Sequence, residues 1–222
     1  LPDRNLEIVC IHINKDVLWL GTTTNGVYCL NIDKKELTHP IQKGNITSFY
    51  QDSESELWIG SWEEGLFRVK ADGTIENFKY NAKDPHSLSS NFVRACCEDN
   101  LGNIWIGTFN GLNRYNKITG LFQNHTANDT QADGLTHSSI WCIVKDNQGT
   151  LWLGTYFGGV NYFNPEYEIY TRYSYSSNEK KGLSNPVVGR TIEDKDGNLW
   201  IGTEGGGLNY YNRRTREFKW YR

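Results

Sequence analysis

A five-residue segment built around tryptophan occurs five times in the chain, and this repetition constrains the fold more than any other feature. Each copy reads aliphatic–Trp–aliphatic–Gly–Thr, with Ser in place of Thr once, and successive tryptophans are 39, 47, 47 and 48 residues apart. Repeats of about 40–50 residues are typical of β-propellers, in which each repeat forms one blade. The copies are Leu18–Thr22, Leu57–Ser61, Ile104–Thr108, Leu151–Thr155 and Leu199–Thr203.

The residues around each copy predict four short antiparallel strands. An apolar run ending in an acid precedes the tryptophan, and a turn such as Asp194–Asn198 separates the two. Asn, Asp and Gly tolerate positive φ angles, which suits hairpin turns. Two further strand patterns follow, the first as in Gly111–Asn116. We therefore predict an all-β β-propeller domain spanning residues 1–222, with five four-stranded antiparallel blades at about 6–40, 44–81, 90–126, 137–175 and 186–222.

The composition suits packed blades and excludes several other classes. Aromatic residues make up 14% of the chain and there are 22 glycines, as expected for short strands and tight turns. No run approaches the roughly 20 apolar residues of a membrane span, and a net charge of −3 without a basic block argues against nucleic acid as a partner. The five cysteines lack C-x-x-C spacing, so we expect buried thiols, no metal site and no cofactor. Because the chain begins at Leu1 without a signal peptide, we expect an excised or processed piece.

Two repeats resemble, nearly word for word, the repeat of the two-component regulator propeller family. Asp99–Asn116 and Asp194–Asn212 follow the family pattern of an acid, a turn with Gly, N-L-W-I-G-T and G-G-L-N-R-Y-N. The segment Asp84–Asn91 resembles the family's linker between blades. The first two repeats depart from the pattern, since Gly26–Leu30 and Gly65–Val69 lack the Asn-Arg-Tyr sequence.

The resemblance implies the sensor region of a hybrid two-component system of the Bacteroides type. Such a propeller would lie in the periplasm as part of an inner-membrane sensor and would recognise a glycan or oligosaccharide without catalysis. It would signal through an immunoglobulin-like domain to a histidine kinase outside this chain. Family propellers usually have seven blades, often in tandem, so we expect a segment of a larger propeller, with a closed five-bladed ring as the alternative. Further blades or a second propeller, and a second copy in a homodimer, are the partners expected.

The turns between the second and third strands indicate where a ligand would bind. In a propeller these turns share one face with the linkers between blades, beside the mouth of the central channel. Trp62, Phe109 and Tyr156 take the same place in three successive turns, where a sugar could stack on their faces. Packing of these rings against the neighbouring blade is an equally good explanation.

Three residues near the starts of inner strands complete the predicted binding set. Arg94 and Trp141 take equivalent places. Trp141 could extend the aromatic surface, and Arg94 could bind a carboxylate or sulfate with two hydrogen bonds. Arg190 falls where other repeats have small side chains, and a structural ion pair with Glu193 or Glu204 explains it somewhat better than a ligand contact.

The sequence contains no nucleophile elbow, zinc-protease motif or phosphate-binding loop, so we expect no enzyme. His86 and His137 fall in linkers on the predicted ligand face, which leaves a propeller lyase or hydrolase as an alternative. A purely protein-docking propeller is another alternative, because one fold hosts many functions. Asp194–Asn198 looks like the start of a calcium loop but is expected to be a hairpin turn, since Gly205 stands where such a loop needs an acid.

Overall fold

The computed structural model describes residues 6–127, 134–165 and 169–222. In these residues twenty strands form five four-stranded antiparallel sheets, and one short 3-10 helix spans Glu179–Lys181. Within each sheet the strands are hydrogen-bonded in chain order. The predicted all-β propeller with five four-stranded blades is confirmed. No helix in the described ranges is long and apolar enough to cross a membrane.

The blades are numbered in chain order. Blade 1 consists of β1 (Ile8–Asn14), β2 (Val17–Thr22), β3 (Val27–Asn31) and β4 (Glu36–Ile41). Blade 2 consists of β5 (Ile46–Gln51), β6 (Leu57–Ser61), β7 (Leu66–Val69) and β8 (Ile75–Phe78). Blade 3 consists of β9 (Val93–Glu98), β10 (Ile104–Thr108), β11 (Gly111–Asn116) and β12 (Leu121–His125). Blade 4 consists of β13 (Ile140–Lys145), β14 (Leu151–Thr155), β15 (Val160–Asn164) and β16 (Ile169–Tyr173). Blade 5 consists of β17 (Val188–Glu193), β18 (Leu199–Thr203), β19 (Gly207–Asn212) and β20 (Glu217–Tyr221).

The first strand of each blade is the innermost. Each of β5, β9 and β13 lies between the first strands of the blades before and after it, and β1 and β17 lie at the two ends of this row. The row lines a central channel, and the fourth strand of each blade lies on the outside.

In four blades an aspartate joins the first hairpin turn to the repeated tryptophan. One carboxylate oxygen accepts a hydrogen bond from the indole N–H, and the other accepts from backbone N–H groups two and four residues further along the turn. Blade 1 turns instead through Lys15 and Asp16. The indole bonds measure 2.9, 2.7, 2.6 and 3.2 Å in the pairs Asp52–Trp58, Asp99–Trp105, Asp146–Trp152 and Asp194–Trp200. The segment that begins like a calcium loop is therefore a hairpin turn whose carboxylate is engaged by the protein itself.

The core consists of four apolar clusters, each shared by two successive blades. The tryptophans of blades 2, 3 and 4 are buried at these interfaces and contact an aromatic ring on the third strand of the next blade. The ring centroids are 5.3, 4.9 and 5.9 Å apart in the pairs Trp58–Tyr115, Trp105–Phe163 and Trp152–Tyr211. Edge-to-face aromatic pairs at such distances are favourable beyond the area that they bury.

Ion pairs also join the blades at two of these interfaces. In each pair the cation is a basic residue that follows the third strand of its blade. Lys117 of blade 3 lies 2.8 Å from the carboxylate of Asp52 in blade 2 and 2.9 Å from that of Glu98 in its own blade. Arg213 of blade 5 donates to Asp146 of blade 4 at 2.7 Å. The aspartate that holds the tryptophan of one blade therefore also binds a cation from the next blade.

A glycine two residues after each tryptophan lets the next blade approach closely. A Cβ added to Gly107 would lie 2.7 Å from the Ile140 side chain of blade 4, and one added to Gly154 would lie 2.7 Å from Val188 of blade 5. At Gly202, in blade 5, the nearest atom to an added Cβ is a carbonyl oxygen of its own blade at 3.7 Å. At the other interfaces a β-branched side chain of the next blade fills the space beside this glycine, which we call the socket. Among the described residues, no side chain fills the socket at Gly202.

The outer faces of the two end blades are exposed. Ile11 of β1 is 66% exposed, although its counterparts Cys96 and Ile143 are buried against the preceding blade. Ile192 of β17 is 63% exposed, whereas its counterpart Cys97 is buried against the following blade. Apolar side chains therefore cover both ends of the row of blades.

We expect Gly107→Ala to lower the free energy of unfolding by about 1–3 kcal/mol, because its Cβ would force Ile140 to move. Gly202→Ala is the matched control: it makes the same chemical change at the same place in a blade but meets no neighbour, and it should leave stability almost unchanged. Urea unfolding followed by tryptophan fluorescence measures both. Equal losses would contradict the close approach at Gly107.

We expect Lys117→Met to lower the free energy of unfolding at pH 7 by about 3–5 kcal/mol, because it leaves the buried Asp52 carboxylate without its cation. Burial raises the pKa of Asp52, but hydrogen bonds from Lys117, Trp58 and the Glu56 N–H outweigh burial, and the pKa is lowered overall. The stability from this pair is therefore present above the unfolded pKa of about 4 and is lost as the pH falls through the folded value.

The loss caused by Lys117→Met should consequently shrink in urea titrations carried out below about pH 4. Lys195→Met removes an exposed lysine from a turn and is the control, with no effect expected at either pH. A loss that stays constant with pH would contradict the assignment to Asp52.

Candidate ligand site at the channel mouth

A β-bulge near the start of each inner strand releases one residue from the sheet. The register between the first and second strands shifts at this point. As a result, the inner-strand residue that follows the first paired residue has no partner on the second strand. Bulges of this kind redirect a side chain and are common beside functional sites. The five released residues are Val9, Thr47, Arg94, Trp141 and Gly189. Arg94 and Trp141 are therefore structurally equivalent, as their spacing predicts.

The predicted aromatic positions are also structurally equivalent. The residue after the Thr or Ser of each repeat donates its backbone N–H to the carbonyl of the residue just before the inner strand of the same blade. This bond holds the turn above the channel mouth in every blade. The pairs are Thr23–Glu7, Trp62–Asn45, Phe109–Phe92, Tyr156–Ser139 and Glu204–Val187, at 2.8–3.2 Å.

Arg94 lies among three aromatic rings, two from the turns and one from a bulge. Its guanidinium carbon is 4.1 Å from the ring centroid of Trp141, 5.0 Å from that of Trp62 and 5.5 Å from that of Phe109. Tyr156 stacks on Trp141 with centroids 5.7 Å apart and extends the cluster into blade 4. The structure thus brings together five of the six residues predicted to bind a ligand, drawn from three successive blades. We call these five residues the aromatic cluster.

The polar atoms of the cluster are incompletely bonded. Arg94 is 8% exposed and donates from Nη1 to the hydroxyl of Ser139 at 2.8 Å, while its Nε has no hydrogen-bond partner among the described residues. Nε1 of Trp141 is likewise buried and unpartnered in the described structure. Burial lowers the pKa of Arg94, and the neighbouring Tyr156 opposes this effect.

A cavity of about 410 Å³ opens beside the cluster. Its lining includes the five bulge residues, together with Ile46, Trp62 and Arg190, so every blade contributes to it. Both charged residues of the lining are arginines, which makes the cavity electropositive. Clefts of about 530 and 500 Å³ lie on the outer parts of blades 1 and 2 and along β12, away from these bulges.

Arg190 lies at this cavity but not in the aromatic cluster. It is exposed, and it also lines an apolar cavity of about 390 Å³ over Trp200 and Leu208 on the open face of blade 5. The expected ion pair with Glu193 or Glu204 is wrong: within the described residues Glu193 lies 3.6 Å from Arg213 instead, and Glu204 is exposed. Because Arg190 is exposed, it needs no partner to compensate for burial.

Phe92 and Ser139 also belong to this site, although the repeat pattern did not predict them. The ring of Phe92 lies between Trp62 and Phe109, with centroid distances of 5.4 and 6.0 Å. Ser139 is buried and accepts the hydrogen bond from Arg94. Both immediately precede an inner strand, the place whose carbonyl anchors the aromatic turn, and this spacing is the signal that could have found them.

The two histidines occupy different places. His86 contacts the carbonyl of Phe122 on β12 and lies at the outer edge of blade 3. His137 accepts a hydrogen bond from the Ser139 N–H through Nδ1 at 3.0 Å, and its ring meets that of Phe157 at 6.2 Å. His137 is therefore the histidine close to the aromatic cluster.

Four segments of the chain match the repeat of the family described as two component regulator propeller: residues 40–63, 87–110, 134–157 and 182–205. Each match ends in the turn that carries the ring position, and the matches fall in blades 2 to 5. No curated protein matches the chain.

Solved structures with the same fold include virginiamycin B lyase from Staphylococcus aureus, at 14% identity and a TM-score of 0.74 over 100% of this chain and 72% of that one. The WD40 propeller domain of Doa1 matches at 12% identity and 0.62, over 94% and 65%. The extracellular domain of a putative hybrid two component system from B. thetaiotaomicron matches at 19% identity and a TM-score of only 0.34, and the chain covers 40% of it. At these identities the first two similarities show the propeller fold alone. Four of the five repeats of the chain thus match the repeat of the two component regulator propeller family.

Proposed function

We propose that this propeller is a non-catalytic sensor module that binds an oligosaccharide or glycan at the channel mouth. The single observation that supports this proposal best is the aromatic cluster, in which large rings from three blades surround one guanidinium beside a cavity. Phe109 is 54% exposed and Trp62, Trp141 and Tyr156 are half-buried, so ring faces remain available to the C–H faces of a sugar.

The place of the module in signalling is also part of the proposal. The family is described as a two component regulator propeller, which supports a role in presenting a stimulus to a histidine kinase outside this chain. We place the module in the periplasm, connected to the kinase through an immunoglobulin-like domain of an inner-membrane sensor. Ligand binding at bulges from all five blades would change how the blades pack, and this change would bias the kinase.

We further propose that additional blades of the same repeat cover the two exposed end faces. The empty socket at Gly202 fits a β-branched side chain such as those at the other interfaces, and Ile11 needs a preceding blade to bury it. A thiol introduced by Ile11→Cys should therefore react quickly with a maleimide in the 222-residue chain and slowly in a longer chain that contains the neighbouring blades. Labelling of the unsubstituted proteins gives the background, and equal rates in the two substituted chains would contradict the proposal.

We expect Trp62→Ala, Phe109→Ala and Tyr156→Ala each to weaken oligosaccharide binding about tenfold or more without unfolding the chain, because each removes a ring face and leaves the inter-blade cores intact. Isothermal titration calorimetry against a glycan panel measures affinity, and circular dichroism checks folding. Tyr80→Ala is the control: it removes a ring that is 51% exposed and that follows the outer strand of blade 2, outside the aromatic cluster.

Unchanged affinity in all three variants would overturn the placement of the site. The same panel distinguishes the alternative of a lyase or hydrolase acting from His137, because turnover would produce new reducing ends or unsaturated products. Saturable binding without turnover is the result expected of a sensor, and binding of proteins but of no glycan would indicate a docking propeller.

A further inference from the structure

Arg94 is the only cation among the described residues that is buried, and it has no anionic partner there. Three partly buried cations each do have one. Arg68 lies 2.6 Å from a carboxylate, Lys117 lies 2.8 Å from one and Arg213 lies 2.7 Å from one. Arg94, with 8% exposure, has only the neutral hydroxyl of Ser139 and the faces of aromatic rings. A buried charge normally needs an opposite charge or a full set of hydrogen bonds, so this guanidinium is incompletely compensated.

Trp141 also has a buried donor without an acceptor among the described residues, unlike the tryptophans of the core. The indole N–H groups of the core tryptophans bind aspartates, and that of Trp220 binds the carbonyl of Gly182. The indole N–H of Trp141 is buried without an acceptor among the described residues, and its ring lies 4.1 Å from the Arg94 guanidinium. Two neighbouring donors therefore lack acceptors at one place.

The surroundings of these donors favour an anion. Arg94 and Arg190 both line the cavity, which contains no acidic residue in its lining. A cavity of about 410 Å³ is at the small end of the range for ligand sites, which suits a sugar unit rather than a long chain. Charge-assisted hydrogen bonds from a guanidinium to an oxyanion are among the strongest available to a protein.

We propose that the site binds the oxyanion group, carboxylate or sulfate, of an acidic saccharide through Nε–H of Arg94 and Nε1–H of Trp141. This inference rests on the proposed glycan-binding function and narrows its ligand class. Both N–H groups are covered in the structure, so entry of the oxyanion displaces a ring, and the half-exposed Phe109 has the freedom to move. The displaced ring then stacks on the sugar beside the bound oxyanion.

The test compares saccharides that differ in charge. Probes are a hyaluronan tetrasaccharide for carboxylate, a κ-carrageenan tetrasaccharide, which has sulfate and no carboxylate, for sulfate, maltotetraose as the neutral sugar, and inorganic sulfate alone. We expect an acidic tetrasaccharide to bind at least about tenfold more tightly than the neutral one, with an affinity that falls as salt is raised. The stronger of the two acidic probes identifies the oxyanion.

Three variants connect that preference to Arg94. Arg94→Met should abolish the preference while keeping or raising the urea midpoint, because it removes an uncompensated buried charge. Arg94→Lys keeps the charge but loses the planar fork and should recover only part of the affinity. Arg172→Gln, exposed on the outer strand of blade 4, is the control and should change nothing.

The outcomes separate this inference from the function on which it rests. Equal affinity for neutral and acidic tetrasaccharides, or an acidic preference that survives Arg94→Met, would overturn the oxyanion site and leave glycan binding standing. Binding of no tetrasaccharide at all would overturn glycan binding itself. Binding of inorganic sulfate alone would likewise overturn the saccharide as ligand.

Discussion

Each blade of this chain has two apolar faces, and the need to cover both with neighbouring blades is the constraint on which the rest of the structure depends. The aspartate of the first hairpin turn supports this packing both within its own blade and across the interface with the next blade. Asp146 fixes its own hairpin and accepts the indole N–H of Trp152, and it also receives Arg213 from the next blade. Local turn chemistry and packing between blades are thus joined through one carboxylate. The end faces, where no neighbour supplies a ring or a cation, remain exposed.

The candidate ligand site is a consequence of the same regular packing. Because each inner strand contains a bulge at the same register, the chain delivers one side chain per blade to a common cavity. The turn above each bulge is tied to the start of the inner strand by a backbone hydrogen bond, so the backbone at each ring position is held in place. A rigid scaffold therefore presents two circles of variable positions, one of bulge residues and one of turn residues, at the mouth of one channel.

The sequence predicts most of the fold because packing demands the same residues five times. Trp and Gly recur at fixed places in all five blades and Asp in four of them, and four-stranded blades follow from their spacing. The equivalence of Arg94 and Trp141 is also visible in the sequence, as is that of Trp62, Phe109 and Tyr156. The spacing of residues in the sequence could not predict that rings from three blades surround the guanidinium of Arg94. Contacts between blades depend on the rotation from each blade to the next, which the sequence pattern does not specify. The mistaken ion pair of Arg190 has the same origin, because its surroundings depend on the open face of blade 5.

The bulge residues differ in kind from the rest of the repeat, and this difference bears on function. At this one register the five blades carry Val9, Thr47, Arg94, Trp141 and Gly189, whereas their immediate neighbours in the strands, apart from Arg190, are β-branched or small residues set by packing. A residue released from the sheet makes no ladder contact and is free of the demands that keep the repeat uniform. Packing therefore does not explain why an arginine and a tryptophan should stand there with unpaired donors, and leaving such donors buried costs stability. Arg68, Lys117 and Arg213, which are less buried than Arg94, are each matched by a carboxylate, so the uncompensated cost at Arg94 is the physical signature expected of a place that binds a ligand.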